Sequence, residues 1–194
     1  MTMQPLILNT SEVLRLTDDE LFQLCAANRD LRIERNSNGN LILMSPAGSK
    51  TSRRNSRLTQ RLTNWNDETG PGEVFDSSGG FLLPNGAMRS PDVSWIPTER
   101  WEQCSPEEQE KFLPLCPDFV IELRSPSDRL IDVRKKMREW MDNGCRLGWL
   151  IDPVEERAYV YRENGENAVV DSFDESLSGE DVLPGFVLEL NELR

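Results

Sequence analysis

The chain has 194 residues, of which 37% are apolar, and its formal net charge is −12 with no histidine. This length and apolar content predict one α/β domain over residues 1–194, because domains of roughly 100–200 residues are the norm. The lack of histidine excludes a Ser-His-Asp triad, a Cys-His dyad and histidine-bound zinc. No apolar run approaches the ~20 residues of a membrane helix, and no signal-peptide pattern opens the chain. We therefore expect a cytoplasmic protein with no membrane partner.

The cysteine pattern does not indicate a metal or disulfide framework. Four cysteines are scattered without a CxxC pair: Cys25, Cys104, Cys116 and Cys145. We expect them to be reduced, buried thiols. Catalysis would then depend on acids, lysine, tyrosine, cysteine or a hard metal ion.

The start of the chain predicts a helix and then a β-hairpin. Residues 10–28 have helical apolar spacing, with a possible break and second cap at Thr17. An Asn-Gly step then predicts a tight turn between strands at 31–35 and 41–44. Glu34 lies on the first of these strands, where a solvent-facing acid is favoured over a role in a site.

A second helix, predicted over residues 49–66, carries five cations and no acid between residues 50 and 65. We call these cations the basic stripe: Lys50, Arg53, Arg54, Arg57 and Arg61. Because unpaired like charges repel each other, a bound polyanion such as DNA explains the stripe as well as a solvated helix face does. Residues 155–194 carry 11 acids and 3 bases, so most of the net negative charge lies in this C-terminal part, away from the basic stripe. We expect DNA binding to be weak or salt-sensitive.

Further elements follow in the middle of the chain. Runs at 73–77, 81–83 and 89–96, separated by Gly and Pro turns, predict successive strands of a meander. The polar stretch 97–111 predicts a short surface helix. A helix ended by Gly144 is then predicted over 130–143.

The stretch PDFVIELRSPSD carries an acid in a strand that should be covered on both faces, because its neighbours are apolar: Phe119, Val120, Ile121 and Leu123. An ionised acid in dry surroundings is costly unless it is paired, so Glu122 needs a partner. Asp92, in RSPDVSWI, opens a second β-favouring run. Two strands that each bring one acid to a common point could hold a metal ion that prefers oxygen ligands.

A lysine is placed to approach that acid from the following helix. Lys136 lies at the edge of the apolar stripe of the helix, so it can lean towards the sheet and reach Glu122. A buried strand at 147–151 follows, and C-terminal β-hairpins are predicted between residues 158 and 190.

The segments RSPDVSWI, PDFVIELRSPSD and KKMREWMDNGCRLGWLIDP make the chain resemble restriction-endonuclease-like bacterial proteins of the PD-(D/E)XK nuclease superfamily. The resemblance implies a central mixed sheet flanked by helices, with Asp92 and Glu122 as the motif acids. The common lysine position, two residues after the glutamate, holds Arg124 here, which cannot act as a base. In the family that the chain resembles, the lysine is displaced to the next helix, which implies Lys136, with Lys135 as a rival.

The activity that the resemblance implies is a metal-dependent DNA endonuclease. Asp92, Glu122 and the backbone carbonyl of Leu123 would hold Mg²⁺ or Mn²⁺, which activates water and offsets phosphate charge. Lys136, whose pKa should be depressed close to the metal ion, would orient or deprotonate that water. Arg124 would clamp a phosphate oxygen, and the basic stripe would follow the DNA backbone. A homodimer would cut both strands.

Each of these assignments has a structural alternative. Asp92 could cap a turn, and Lys136 could extend to solvent. Glu122 could instead form a salt bridge with Arg124 or Arg89. The alternative function is a non-catalytic protein that keeps the nuclease fold and binds nucleic acid or assembles as a dimer. The acidic net charge favours that alternative, whereas the two acids and the displaced lysine favour the enzyme.

Overall fold

The computed structural model describes residues 5–70 and 72–194. In chain order, its elements are β1 (Leu6–Leu8), α1 (Asp18–Ala27), β2 (Arg32–Arg35), β3 (Leu41–Met44), α2 (Ser49–Thr69), β4 (Gly72–Asp76), β5 (Phe81–Leu82), β6 (Met88–Arg89), β7 (Val93–Pro97), α3 (Thr98–Glu102), α4 (Pro106–Gln109), β8 (Phe119–Leu123), α5 (Leu130–Asp142), β9 (Leu147–Asp152), β10 (Arg157–Arg162), β11 (Ala168–Val170), β12 (Ser176–Ser178), β13 (Val187–Glu189) and a 3₁₀ helix (Leu190–Leu193).

A mixed six-stranded sheet forms the centre of the fold, with the strand order β11-β10-β9-β8-β7-β4. Strands β8 and β9 run parallel, because α5 connects them, and their neighbours are antiparallel. A smaller sheet has the order β1-β3-β2-β6-β5, and β12 pairs with β13 near the C-terminus. The mixed sheet and the C-terminal antiparallel strands are as the sequence predicts.

Strand β8 is buried along its whole length, which explains its nearly continuous apolar sequence. Alternate side chains of a strand point to opposite faces. Phe119 and Ile121 accordingly pack with Leu58 of α2, whereas Val120 packs on the other face with Met137 of α5. The acid two residues after Val120 therefore belongs to the α5 face.

Helix α5 lies unusually close to the sheet because β9 has a glycine beneath it. A Cβ atom built on Gly148 would lie 2.5 Å from Cε of Met137. The helix ends before Gly144, whose φ of 104° suits glycine. The predicted helix is thus present, and its close approach brings its inner side chains to β8.

The first helix is shorter than its apolar spacing predicts. Helix α1 begins at Asp18 instead of near residue 10, because Thr17 and Glu20 form a capping box. Leu14, which the predicted apolar face includes, is 48% exposed. The predicted hairpin of β2 and β3 is present, with Gly39 at a φ of 86° in its turn.

The predicted meander is wrong. Strand β4 pairs directly with β7 in the central sheet. Strands β5 and β6 instead pair with each other, and β6 pairs with β2 in the smaller sheet. The chain therefore leaves the central sheet after β4 and returns to it at β7. The surface helix predicted over 97–111 is two short helices, α3 and α4.

All four cysteines are free thiols, and three of them are buried as expected, whereas Cys25 is half-buried. Within residues 5–70 and 72–194, no helix has the length and apolar character needed to cross a bilayer.

Candidate active site at the end of strand β8

Two acids meet where β7 begins and β8 ends. The N–H of Asp92 donates to the carbonyl of Ile121 (3.1 Å), and Oδ2 of Asp92 accepts from the N–H of Leu123 (2.8 Å). The side chain of Asp92 is thereby held against the residue that follows Glu122. Asp92 is 9% exposed and Glu122 is 5% exposed. The structure thus places both acids at one buried point.

Helix α5 contacts Glu122 through two side chains one turn apart. Nζ of Lys136 lies 2.9 Å from Oε1 of Glu122, and Nε1 of Trp140 donates to the same oxygen over 2.8 Å. Residues four apart lie on one helix face, which is why both side chains reach one acid. Lys135, by contrast, is 68% exposed and pairs with Asp132. The lysine beside the acids is therefore Lys136.

A third acid, Glu34, joins this cluster from strand β2, and the expectation that it faces solvent is wrong. It is 2% exposed because the β2–β3 hairpin packs over this end of the central sheet. Its Oε1 accepts from Nζ of Lys136 (2.9 Å) and from the N–H of Ser90 (3.1 Å). Its Oε2 accepts from Arg89 (2.9 Å). Glu34 therefore fixes both Lys136 and the backbone two residues before Asp92.

The two glutamates have opposite pKa shifts. Burial raises the pKa of Glu122 to about 7, because the attraction of Lys136 is offset by the nearby charges of Asp92 and Glu34. Burial also disfavours charge on Glu34, but Lys136, Arg89 and Arg32 together lower its pKa to about 2. Burial therefore makes the negative charge of Glu122 costly, and a nearby cation would offset that cost.

The protein groups around Lys136 do not themselves depress its pKa, so a depression would have to come from a nearby metal ion. Burial acts to lower its pKa, but the carboxylates of Glu122 and Glu34 outweigh burial and raise it. The Lys136 side chain is only 17% exposed. It is therefore a buried ammonium held between two acids.

Asp92 has further contacts from outside the central sheet. Its Oδ1 lies 3.4 Å from Nη1 of Arg32, on β2, and 3.1 Å from Nδ2 of Asn55, on α2. Arg32 also donates to the carbonyl of Ser90 (2.8 Å), which Lys136 contacts over 3.0 Å. The site therefore joins both sheets and two helices, which the sequence pattern does not reveal.

The two arginines considered as partners of Glu122 pair with other acids. Arg89 bonds Glu34 and Glu139. Arg124 lies 2.6 Å from Asp152, which is fully buried on β9, and it also donates to the carbonyl of Asp128. The guanidinium of Arg124 is therefore bound to other parts of the protein. This differs from the expectation that it is free to clamp a phosphate oxygen.

The basic stripe of α2 also has partners that the sequence does not suggest. Arg53 and Arg54 donate to main-chain oxygens of residues 194 and 193, and Arg57 donates to that of Glu192 (2.8 Å). Arg61 forms two hydrogen bonds with the Glu192 carboxylate, at 2.7 and 2.6 Å. The four arginines of the stripe therefore have partners in the C-terminal segment, and a polyanion is not required to explain these four.

The donors around Asp92 and Glu122 suit a hard divalent cation. Within residues 5–70 and 72–194, no three Asp, Glu, Cys or His side chains are grouped so that they could hold an ion by themselves. Mg²⁺ needs only one or two carboxylates, since water and substrate oxygens complete its shell. Burial makes the charged form of Glu122 costly and raises its pKa, and a bound cation would offset that cost. The residues present therefore fit Mg²⁺ or Mn²⁺ held by two acids.

Comparison with known proteins agrees with the fold. The model of the Uma2 family, described as “Putative restriction endonuclease”, matches residues 18–191. The chain is similar to the crystal structure of “a putative nuclease belonging to DUF820 from Anabaena variabilis ATCC 29413”, with 22% identity and a TM-score of 0.73. The alignment covers 92% of this chain and 97% of that chain. No curated protein matches the chain.

Proposed function

This chain belongs to the Uma2 family, and we propose that it is a divalent-metal-dependent nuclease that hydrolyses phosphodiester bonds in DNA. One observation carries the proposal. Asp92 accepts a hydrogen bond from the N–H of Leu123, the residue after Glu122, and Nζ of Lys136 is 2.9 Å from Glu122. Two buried acids with a lysine are the groups that metal-assisted phosphodiester hydrolysis requires.

Asp92 and Glu122 would bind Mg²⁺ or Mn²⁺ through their carboxylates, with the backbone carbonyl of Leu123 as a further oxygen. The bound ion would supply a Lewis acid that activates water and offsets charge on the phosphate. Burial of both acids strengthens their attraction for a cation, because little water screens it. Trp140 and the Leu123 N–H each hold one acid in place.

Lys136 would act as a cation instead of a base, because its acidic neighbours raise its pKa. Its ammonium would orient the attacking water or stabilise charge on the phosphate. The attacking water would release a proton to solvent, its oxygen would bond to phosphorus, one ester P–O bond would break, and the leaving oxygen would take up a proton from solvent. Glu34 would position the ammonium through its 2.9 Å contact.

The proposal also includes a surface that would bind DNA. The basic stripe would follow the phosphate backbone where Glu192 and its neighbouring carbonyls leave guanidinium N–H groups available. Arg124 would reach a phosphate only on leaving Asp152. A homodimer would cut both strands, and sedimentation velocity would measure it.

Plasmid cleavage tests the proposed activity. We expect supercoiled DNA to become nicked and linear with Mg²⁺ or Mn²⁺, and to remain intact with EDTA. Asp92→Asn should abolish cleavage, whereas Asp67→Asn, at an exposed position of α2, should not. If the folded wild type left the plasmid intact with either ion, the activity would be refuted. The non-catalytic alternative would then be favoured.

A further inference from the structure

The side-chain amide of Asn55 has a nitrogen that forms a hydrogen bond and an oxygen that has no hydrogen-bond partner among the described residues. Asn55 lies on the second turn of α2, and its Nδ2 donates to Oδ1 of Asp92 over 3.1 Å. Its Oδ1 is buried, and no donor in the described part of the chain reaches it. A buried amide oxygen left unpaired costs about 1–3 kcal/mol, so this position calls for an explanation.

Rotating the amide does not remove the problem. Both oxygens of Asp92 accept hydrogen bonds, from Asn55, Arg32 and the Leu123 N–H. Turning the amide over would place its oxygen against a carboxylate oxygen and leave its nitrogen buried without an acceptor. Asp92 therefore fixes the orientation in which Oδ1 of Asn55 is free.

The unpaired polar atoms are concentrated around Asp92. Four buried side-chain nitrogen or oxygen atoms lack a partner among the described residues, and Arg32 and Asn55 supply two of them. Both residues contact Asp92. Nε of Arg32 is a donor and cannot bind a cation, whereas Oδ1 of Asn55 is an oxygen of the kind that Mg²⁺ and Mn²⁺ bind.

We propose that Oδ1 of Asn55 is a third side-chain ligand of the divalent ion held by Asp92 and Glu122. This inference rests on the proposed function, because it requires that ion. Two carboxylates already match the charge of the ion, and a neutral amide adds an oxygen without adding negative charge to a buried site.

Calorimetric titration with Mn²⁺ tests the role of Asn55 without relying on activity. We expect Asn55→Leu to weaken Mn²⁺ binding about tenfold or more, since loss of an outer-shell partner alone commonly costs 10–100-fold. Asn55→Asp keeps an oxygen at this place, so its affinity should stay within about threefold of the wild type or increase. Asn64→Leu makes the same change at an exposed position of α2 and should bind as the wild type does.

The variants also separate a ligand from a positioning residue. If Asn55 acts only through its hydrogen bond to Asp92, or binds an ordered water only, Asn55→Asp should lose affinity as Asn55→Leu does. That result, or wild-type affinity in Asn55→Leu, would overturn the inference while leaving the metal site intact. A wild type that does not bind Mn²⁺ would overturn the proposed function as well. If circular dichroism shows Asn55→Leu to be unfolded, the Asn55→Asp titration decides alone.

Discussion

Replacing Glu122 with glutamine should stabilise the metal-free protein at neutral and alkaline pH. The pKa of Glu122 rises from 4.5 to about 7 in the folded protein, mainly through burial. Its ionisation therefore costs more in the folded than in the unfolded state. At 1.36 kcal/mol for each pKa unit, this shift corresponds to about 3 kcal/mol. Glutamine is the neutral isostere and can still accept the hydrogen bond from Trp140.

The sign of the effect follows from proton binding. Between pH 4.5 and 7 the folded wild type holds the Glu122 proton more tightly than the unfolded chain does, so its stability falls as pH rises. Glutamine does not titrate, so the Glu122→Gln variant does not lose this stability as pH rises. The stability difference between variant and wild type should be small near pH 4.5, grow through pH 7, and stay level above it.

Urea unfolding in EDTA at several pH values measures the difference. Glu68→Gln, at an exposed position of α2, is the matched control and should change stability by less than about 0.5 kcal/mol at every pH. A Glu122→Gln variant that is no more stable than the wild type at pH 8 would refute the reasoning. So would a difference that does not vary with pH.

Three further changes probe the surroundings of the site. Lys136→Met should cost about 3–5 kcal/mol in thermal unfolding and abolish plasmid cleavage, because it removes the buried ammonium between Glu34 and Glu122. Lys135→Met should do neither, and equal effects would contradict the assignment. Glu34→Gln should cost up to about 3 kcal/mol at pH 7, since the folded pKa of Glu34 is about 2. That cost should shrink as pH falls from 4.5 towards 2, and a constant cost in urea titrations would contradict it. Gly148→Ala should cost about 1–3 kcal/mol by forcing Met137 outward, and an unchanged unfolding midpoint would show that α5 can shift freely.

The parts of the site that the sequence predicts are those that depend on local patterns. An acid within an apolar strand needs a partner wherever the strand lies, so Glu122 is conspicuous from its neighbours alone. The helical position of Lys136 follows from spacing within 13 residues of α5. Lys136 and Lys135 lie on different faces of α5. Lys136 accordingly contacts Glu122, whereas Lys135 contacts Asp132 on the exposed side.

The parts that the sequence does not predict depend on distant segments. Glu34 lies 102 residues from the lysine that it contacts, and alternation along β2 cannot show that the hairpin covers the site. The basic stripe finds its compensation more than 130 residues away, at Glu192 and its neighbours. Strand β4 pairs with β7 and not with β5. The sequence does not show which strand returns to the central sheet, so this pairing is not predictable either. One signal for Asn55 exists in the sequence: it is a polar residue three positions before Leu58, on the buried face of α2, but its partner is not predictable.

Mn²⁺ binding by the two acids is the central claim, and one titration tests it most directly. Mn²⁺ would be added in the calorimeter to the wild type, Asp92→Asn and Glu122→Gln, each shown to be folded by circular dichroism. We predict that the wild type binds one ion per chain and that both variants lose most of the heat of binding. Equal heats in all three proteins would contradict a metal site at the end of β8 and the nuclease mechanism that depends on it.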